Sequence, residues 1–332
     1  MEAGDAADGS SPTPNDRASP PAPVAASTDN VNLGPIICPG HSRPIPDVVY
    51  SRVVDGEYLL ISGGLDKCPM IRRGDTGDWI GTFAGHKGAV WSARLNETTT
   101  LAATASADFT VKLWNAFTGD EVREFPHKHI AKSAVFSWDS QKLFSGGSEK
   151  KVRVFDLGQP ENSPELELDG HTKAISNVVA LPGTMHLIAS SGDERDIHIW
   201  DLRTSALVKK LSTPDAVASL EIQPELHTLT AATGKSVQFW DTQRLELTKS
   251  VDLPREVKCA SLHPSRKAFA TGSMSELWAR VYDYESGSEI ACQKGHHGPV
   301  RCIAFSPIGN AYASGSEDGT IRIWEFAEQR RE

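Results

Sequence analysis

The chain has 332 residues, with 39% hydrophobic and 23% charged side chains, which is the composition of an ordinary globular protein. It contains no run of eighteen apolar residues, so we expect no membrane span, and the acidic residues 1–10 lack the apolar core of a secretory signal. The net charge of -9, from 43 acidic and 34 basic residues, argues against bulk attraction to duplex nucleic acid. Five cysteines match neither a disulfide framework nor zinc-binding pairs: Cys38, Cys68, Cys259, Cys292 and Cys302. We therefore expect a cytoplasmic protein, with the nucleus as a second location.

The first 35 residues contain six prolines and five acids but only one basic residue, Arg17. Such a segment has too little apolar surface to offset the entropy lost when its backbone is ordered. We predict a disordered, acidic, Pro/Ala-rich tail over residues 1–32, one folded unit over residues 33–327 and a short charged C-terminus over residues 328–332.

Beyond the tail, an aromatic residue followed by a polar or acidic residue recurs at intervals of 41, 45, 40, 42 and 42 residues. The pairs are Trp114-Asn115, Phe155-Asp156, Trp200-Asp201, Trp240-Asp241, Tyr282-Asp283 and Trp324-Glu325. A histidine, preceded by glycine in most units, precedes the aromatic residue by 28 positions at His86, His127 and His296.

This period of 40–45 residues with Gly-His and Trp-Asp marks is typical of WD40 repeats, in which each repeat supplies one four-stranded blade. The sequence therefore predicts an all-β chain that folds as a single seven-bladed WD40 β-propeller behind a disordered N-terminal tail. The seven units begin at His41, His86, His127, His171, about Ser212, about Arg255 and His296.

Two units carry four polar residues at the same offsets of 0, 18, 22 and 28 from the histidine. These residues are His86, Thr104, Asp108 and Trp114 in the second unit, and His296, Ser314, Asp318 and Trp324 in the seventh. Proteins with WD repeats use such a set as a buried hydrogen-bonded chain, so we interpret the eight residues as structural tetrads. A catalytic triad is the competing interpretation, but a nucleophile would not recur in more than one blade, and no GxSxG, Walker A, HExxH or GxGxxG motif is present. We predict no catalytic residue, no metal, no cofactor and no enzymatic activity.

Other units depart from this set, with Glu149 and Glu194 at the aspartate position of the third and fourth units, Gly234 in the fifth, and Arg72 at the tryptophan position of the first. We expect these blades to depend more on packing than on the polar network. We also expect blade packing, rather than base-stacking platforms, from four scattered tryptophans: Trp79, Trp91, Trp138 and Trp278. Residues 36–38 are expected to close the ring, because a strand there would cover the open edge of the last blade.

Basic or imidazole side chains follow the start of several units, at Arg43, Lys87, Lys128, Lys173, Arg255 and His297. The corresponding loops of a propeller lie on one face around the central channel, so these six residues form a candidate partner-binding face. One alternative is a docking surface for an acidic or phosphorylated peptide or an RNA backbone; the other is a solvated rim with ordinary ion pairs. We expect protein partners, with RNA contact only indirect or weak.

Some segments are more specific than the general repeat pattern, above all residues 74–83 (GDTGDWIGTF), 85–91 (GHKGAVW) and 102–110 (AATASADFT). Together with residues 127–130, 260–264 and 312–319, they resemble the serine/threonine kinase receptor-associated protein family over about residues 38–326. The resemblance implies a non-enzymatic adaptor that associates with the SMN complex, which loads Sm proteins onto spliceosomal small nuclear RNA in the cytoplasm, and with TGF-β receptor signalling. It thus implies a role in pre-mRNA splicing, SMN/Gemin-type proteins and receptor kinases as partners, and a monomer within a larger complex.

A looser resemblance, carried by residues 85–91, leaves the WD-repeat subunit i of eukaryotic translation initiation factor three as an alternative. A WD40 substrate receptor of a ubiquitin ligase is a third class, although no adaptor-binding box is found outside the repeats.

Overall fold

The computed structural model describes residues 34–326; the predicted tail at 1–32 and the charged residues 328–332 lie outside the described residues. Within this range, 28 strands form seven four-stranded antiparallel sheets. The helical content of residues 34–326 is one short 3₁₀ turn, Pro224–Leu226, so no helix there is long and apolar enough to cross a bilayer. The predicted all-β, seven-bladed propeller is confirmed.

Blades 1 to 6 each use four consecutive strands, which run from an inner strand beside the central channel to an outer strand. Blade 1 contains β2 (Asp47–Tyr50), β3 (Leu59–Gly63), β4 (Met70–Arg73) and β5 (Trp79–Thr82). Blade 2 contains β6 (Val90–Leu95), β7 (Leu101–Ser106), β8 (Thr110–Asn115) and β9 (Glu121–Pro126). Blade 3 contains β10 (Ala131–Phe136), β11 (Lys142–Gly147), β12 (Lys151–Asp156) and β13 (Leu166–Asp169).

The second half of the ring repeats this order. Blade 4 contains β14 (Ile175–Ala180), β15 (Leu187–Gly192), β16 (Asp196–Asp201) and β17 (Ala206–Ser212). Blade 5 contains β18 (Val217–Gln223), β19 (Thr228–Thr233), β20 (Ser236–Asp241) and β21 (Glu246–Asp252). Blade 6 contains β22 (Cys259–Leu262), β23 (Ala268–Gly272), β24 (Ala279–Asp283) and β25 (Glu289–Gln293). Blade 7 contains β26 (Val300–Phe305), β27 (Ala311–Ser316), β28 (Ile321–Glu325) and, from the start of the chain, β1 (Ile36–Cys38).

The first strand of the described residues closes the ring. β1 pairs antiparallel with β28, with Ile36 opposite Ile323 and Cys38 opposite Ile321. Cys38 is buried in one hydrophobic cluster with Ile321 and Ile323. The pairing covers the edge that β28 would otherwise expose and joins the two ends of the described chain.

Hydrogen bonds between neighbouring inner strands also join the blades. The Ser133 hydroxyl of blade 3 accepts a bond from the Val178 N–H of blade 4 at 3.1 Å, and the Ser261 hydroxyl of blade 6 accepts one from the Phe305 N–H of blade 7 at 2.9 Å. Each inner strand has one edge without a strand partner, so these side chains satisfy backbone groups that the sheet itself leaves unpaired.

Blades 5 and 6, whose units lack Gly-His, pack through aromatic rings. The ring centroids of Phe239 and Phe269 lie 5.4 Å apart, and Phe269 stacks on Tyr282 at 5.2 Å. Tyr284 meets Phe239 edge-on at 4.9 Å. These separations are favourable for aromatic pairs, as expected for blades that rely on packing.

Removal of β1 should destabilise the ring. We expect a chain that starts at residue 33 to keep the melting temperature of the full chain, because β1 remains paired with β28. A chain that starts at residue 40 should melt at a lower temperature and lose soluble monomer, since the edge of β28 becomes exposed. Thermal unfolding and size-exclusion chromatography of both truncations check this, and similar melting curves would refute the closure.

Candidate functional site

The four predicted tetrad residues of blade 2 are joined by hydrogen bonds. His86 Nδ1 lies 2.7 Å from a carboxylate oxygen of Asp108, and His86 Nε2 lies 2.7 Å from the Thr104 hydroxyl. The indole N–H of Trp114 donates to the same hydroxyl at 2.8 Å. Because the indole can only donate, the Thr104 hydroxyl accepts from it and gives its own proton to His86 Nε2. The imidazole then carries its proton on Nδ1 and donates it to Asp108.

Blade 7 repeats this arrangement. His296 Nδ1 lies 3.0 Å from an Asp318 carboxylate oxygen, His296 Nε2 lies 2.8 Å from the Ser314 hydroxyl, and the Trp324 indole donates to that hydroxyl at 2.8 Å. Both tetrads therefore link a loop residue, a hairpin-loop residue and two strands within one blade.

The tetrad aspartates also hold the loops together. Asp318 accepts the backbone N–H of His297 at 2.9 Å and that of Thr320 at 2.8 Å. Burial opposes ionisation of this carboxyl group, but hydrogen bonds from Thr320, His297 and His296 lower the pKa of Asp318 to about 2. In blade 2, the pKa of Asp108 is likewise held well below its usual value, because hydrogen bonds outweigh the effect of burial. Both groups are thus carboxylates at neutral pH.

Blade 1 keeps part of the network. His41 contacts Asp66 at 3.0 Å and the Ser62 hydroxyl at 2.8 Å. Arg72 stands where the tryptophan is in other blades, and its buried guanidinium donates to two backbone carbonyls instead. The histidine contacts are therefore retained without an indole donor.

In blade 3, the acidic side chain contacts an arginine instead of the histidine. His127 Nε2 accepts from the Ser145 hydroxyl at 2.8 Å, but its Nδ1–H donates to a backbone carbonyl at 3.1 Å. Glu149, at the aspartate position, contacts the Arg153 guanidinium at 2.6 Å. The longer glutamate side chain thus forms an ion pair with Arg153 on β12, the third strand of the blade, rather than a hydrogen bond with the histidine.

Blade 4 contains a buried pair of histidines that the sequence analysis did not single out. His171 Nε2 lies 2.7 Å from the Ser190 hydroxyl, which also accepts from the Trp200 indole at 2.8 Å. Glu194 remains 3.7 Å from His171 Nδ1, too far for a hydrogen bond. The ring of His198 stacks on His171, with centroids 3.9 Å apart and planes 14° from parallel.

Both imidazoles are held neutral. Burial, and then repulsion from the protonated form of neighbouring His198, lower the pKa of His171 to about 4. Burial also lowers the pKa of His198, and Lys210 lowers it further. Within residues 34–326, neither His171 Nδ1 nor either ring nitrogen of His198 has a hydrogen-bond partner.

The side chains of His171, Glu194 and His198 offer possible metal ligands, but their geometry does not fit zinc. The candidate atoms of His171, Glu194 and His198 lie within 4.8 Å of one another, whereas ligand atoms around tetrahedral zinc lie about 3.4 Å apart. A coordinated ion also lies in the plane of each imidazole, and two nearly parallel rings 3.9 Å apart share no such point. The pair is better described as a packed, uncharged stack.

Blade 5 shows the consequence of losing the histidine. In the described part of the chain, the Trp240 indole nitrogen and the Thr230 hydroxyl are both buried without a hydrogen-bond partner. The tryptophan is therefore retained by packing alone.

The loops that lead from each outer strand into the next inner strand lie at the same end of the sheets as the hairpin loop between the second and third strands of each blade; we call this end the upper face. All six candidate partner-binding residues are exposed on the first set of loops: Arg43, Lys87, Lys128, Lys173, Arg255 and His297. The structure thus places them on one face of the ring.

These residues differ in their partners. Arg255 forms an ion pair with Glu276, and the Lys173 amine donates to a backbone carbonyl at 3.1 Å. Arg43, Lys87 and Lys128 form no ion pair with any residue between 34 and 326. The upper face therefore combines ordinary rim ion pairs with three cations that a partner can reach.

The inner strands surround a central channel with a cavity of about 500 Å³. At its lower end, the Arg52 guanidinium lies 2.7 Å from Glu97, 3.8 Å from Glu225 and 4.9 Å from the ring centroid of Trp138. This cluster places paired charges at the lower end of the channel.

The expectation that the scattered tryptophans serve blade packing is wrong for two of them. Trp79 is 60% exposed on the outer strand β5, and Trp91 lines the channel. Trp91 follows the first residue of an inner strand, where alternate side chains point away from the blade core.

Comparison with known proteins agrees with this geometry. Residues 77–115, 162–201 and 287–325 match the family "WD domain, G-beta repeat". The chain is 45% identical over 291 residues to the serine-threonine kinase receptor-associated protein of Dictyostelium discoideum, with 88% of this chain and 98% of that protein aligned. It is 44% identical over 291 residues to the Homo sapiens protein of the same name, with 88% and 82% aligned.

The chain belongs to the serine-threonine kinase receptor-associated protein family. The resemblance noted in the sequence is thereby confirmed. Eukaryotic translation initiation factor 3 subunit I of Culex quinquefasciatus is also similar, at 28% identity over 321 residues, with 89% of this chain and 97% of that subunit aligned. Its lower identity over a similar span favours the receptor-associated family.

Removal of a tetrad aspartate should destabilise the ring. Asp318→Ala leaves the His296 Nδ1–H and two loop N–H groups without their acceptor, so we expect the free energy of unfolding to fall by about 1–3 kcal/mol. Lys235→Ala, at an exposed hairpin position of blade 5, is the control and should change it by less than about 0.5 kcal/mol. Chemical denaturation measures both, and equal effects would contradict the structural role of the tetrad.

The histidine stack of blade 4 should make stability depend on pH. The folded pKa values of His171 and His198 lie below the unfolded value, so their contribution is complete above about pH 6.5 and is lost as the pH falls towards 4. His198→Gln introduces the residue that blade 5 has at the equivalent position of its third strand, Gln238. It also removes one titrating ring. We expect a smaller drop in melting temperature between pH 7 and pH 5 for the variant. An unchanged drop would show that the stack does not control this dependence.

Proposed function

We propose that this chain is a non-catalytic adaptor that holds protein partners on its upper face. We further propose that it acts with the SMN complex in assembling spliceosomal small nuclear ribonucleoproteins, and thus in pre-mRNA splicing, in the cytoplasm and also in the nucleus. Membership in a WD40-repeat family supports the adaptor class. The described residues bring repeated structural tetrads, rather than a single nucleophile with its own base, to the upper face.

The observation that carries the proposal is that three exposed cations of the candidate face have no ion-pair partner among residues 34–326. Arg43, Lys87 and Lys128 stand on loops anchored by the sheets, while the chain as a whole has a net charge of -9. Exposed cations without a partner favour an acidic partner segment and speed its association. Fixed loops also lower the entropy lost when a partner binds.

Receptor association is a second candidate function. The relatives at 44–45% identity are named for association with a serine-threonine kinase receptor. We propose a receptor kinase as a partner for the same upper face, which would place the adaptor in TGF-β receptor signalling.

The test is affinity purification with mass spectrometry from cells of the native organism. Stoichiometric Gemin-type or Sm proteins support the assembly role, and receptor kinases support the second role. Recovery of translation initiation factor subunits in their place would contradict both.

A charge-reversal pair tests the face itself. We expect Lys87→Glu/Lys128→Glu to reduce partner recovery at least tenfold and to weaken the salt dependence of binding, because two favourable charge contacts become repulsive. The matched control, Lys209→Glu/Arg244→Glu, reverses two exposed charges on an outer strand and a lower loop. Equal losses for the two pairs would show that the upper face is not the docking surface.

A further inference from the structure

The start of each inner strand contributes one residue to a ring around the upper mouth of the channel. In five blades this residue stands five positions after the blade-start histidine. Blades 5 and 6 lack that histidine, and there the strand register identifies the equivalent residue. The seven residues all line the cavity: Pro46, Trp91, Lys132, Ser176, Ala218, Lys258 and Arg301. We call this set the channel mouth.

Three members of the channel mouth are cations on different sides of the ring. Lys132 lies in blade 3, whereas Lys258 and Arg301 lie in blades 6 and 7. All three residues line the same cavity. Burial lowers the pKa of Lys258, and the positive charges of Arg301 and Lys132 lower it further. The mouth of the channel therefore concentrates positive charge.

Carboxylates compensate this charge only in part. Arg301 lies 3.4 Å from Glu317, and Asp193 also lines the mouth. Within residues 34–326, neither Lys132 nor Lys258 forms an ion pair. Asp47, Glu97 and Glu221 also line the channel but contact other residues, so two of the three cations lack a direct carboxylate partner in that range.

One hydrogen-bond donor of the channel mouth has no acceptor. The indole nitrogen of Trp91 is buried without a partner in the described range, and this residue lines the channel. An indole N–H can only donate, so the group it lacks is an acceptor. A buried donor without a partner is costly, and together with the cations it indicates a site for an anion.

We propose that the channel mouth binds a phosphate monoester. A phosphate carries up to two negative charges and three terminal oxygens, which suits cations on different sides better than a single carboxylate does. The cavity of about 500 Å³ has the size of a small-ligand site. Because the three cations of the mouth lie at the upper end of the channel, the phosphate enters from the upper face, carried either by a phosphoserine side chain or by a small phosphate ester.

The test uses the full chain with inorganic phosphate as the probe, followed by isothermal titration calorimetry and tryptophan fluorescence at low ionic strength. We expect saturable binding that weakens at least tenfold in Lys132→Met and in Lys258→Met. Lys87→Met removes an equivalent charge from the upper face outside the mouth and should change the affinity by less than twofold. Trp91→Phe should abolish the fluorescence change. Unchanged melting temperatures separate lost binding from lost folding.

A phosphoserine peptide and its serine twin then identify the source. Displacement of inorganic phosphate by a phosphopeptide of higher affinity assigns the group to a protein, and a phosphopeptide no tighter than phosphate assigns it to a small ester. Absence of saturable binding up to about 10 mM phosphate would overturn the proposal. Equal losses in the Lys87, Lys132 and Lys258 variants would also overturn it, since they indicate general electrostatic attraction. Neither result bears on partner docking through Lys87 and Lys128, which the charge-reversal pair tests separately.

Discussion

A hydroxyl oxygen shared by an indole and an imidazole organises the upper face of this propeller. At Thr104, Ser190 and Ser314 the oxygen accepts from a tryptophan and lies 2.7–2.8 Å from a histidine nitrogen. In blades 2 and 7 the histidine passes the interaction on to an aspartate that also binds loop N–H groups. The position of each such loop is therefore fixed by a tryptophan on the third strand of its blade. A chain of buried polar groups of this kind stabilises only when every member has a partner.

The ring does not need this network in all seven blades. Blades 5 and 6 form the same four-stranded sheets around stacked aromatic residues such as Phe269 and Tyr282. The pairing of β1 with β28 and the hydrogen bonds between inner strands join the blades, and neither requires a tetrad. The polar network thus orders loops, whereas apolar packing and edge pairing hold the ring together.

The features that could be predicted from the sequence are those that the repeat period fixes. Constant offsets from the histidine identify both full tetrads, and the apolar residues 36–38 identify the closing strand. The stack of His171 and His198 was not predicted, because it depends on the pairing that sets His198 opposite Ser190, the residue that His171 contacts. The channel mouth does have a sequence signal, the offset of five from each blade-start histidine. That offset does not show that Lys132 and Lys258 converge, because convergence depends on the closed ring.

A rigid ring with ordered loops is well suited to holding other molecules, and the direction of the tetrad hydrogen bonds determines how those loops are ordered. The position of the imidazole proton in the tetrads tests this most directly, through long-range ¹H–¹⁵N correlations of the rings. We expect Nδ1 of His86 and of His296 to carry a proton that exchanges slowly with solvent, and Nε2 to accept from the hydroxyl. A proton on Nε2, or fast solvent exchange at either ring, would contradict that hydrogen-bond direction.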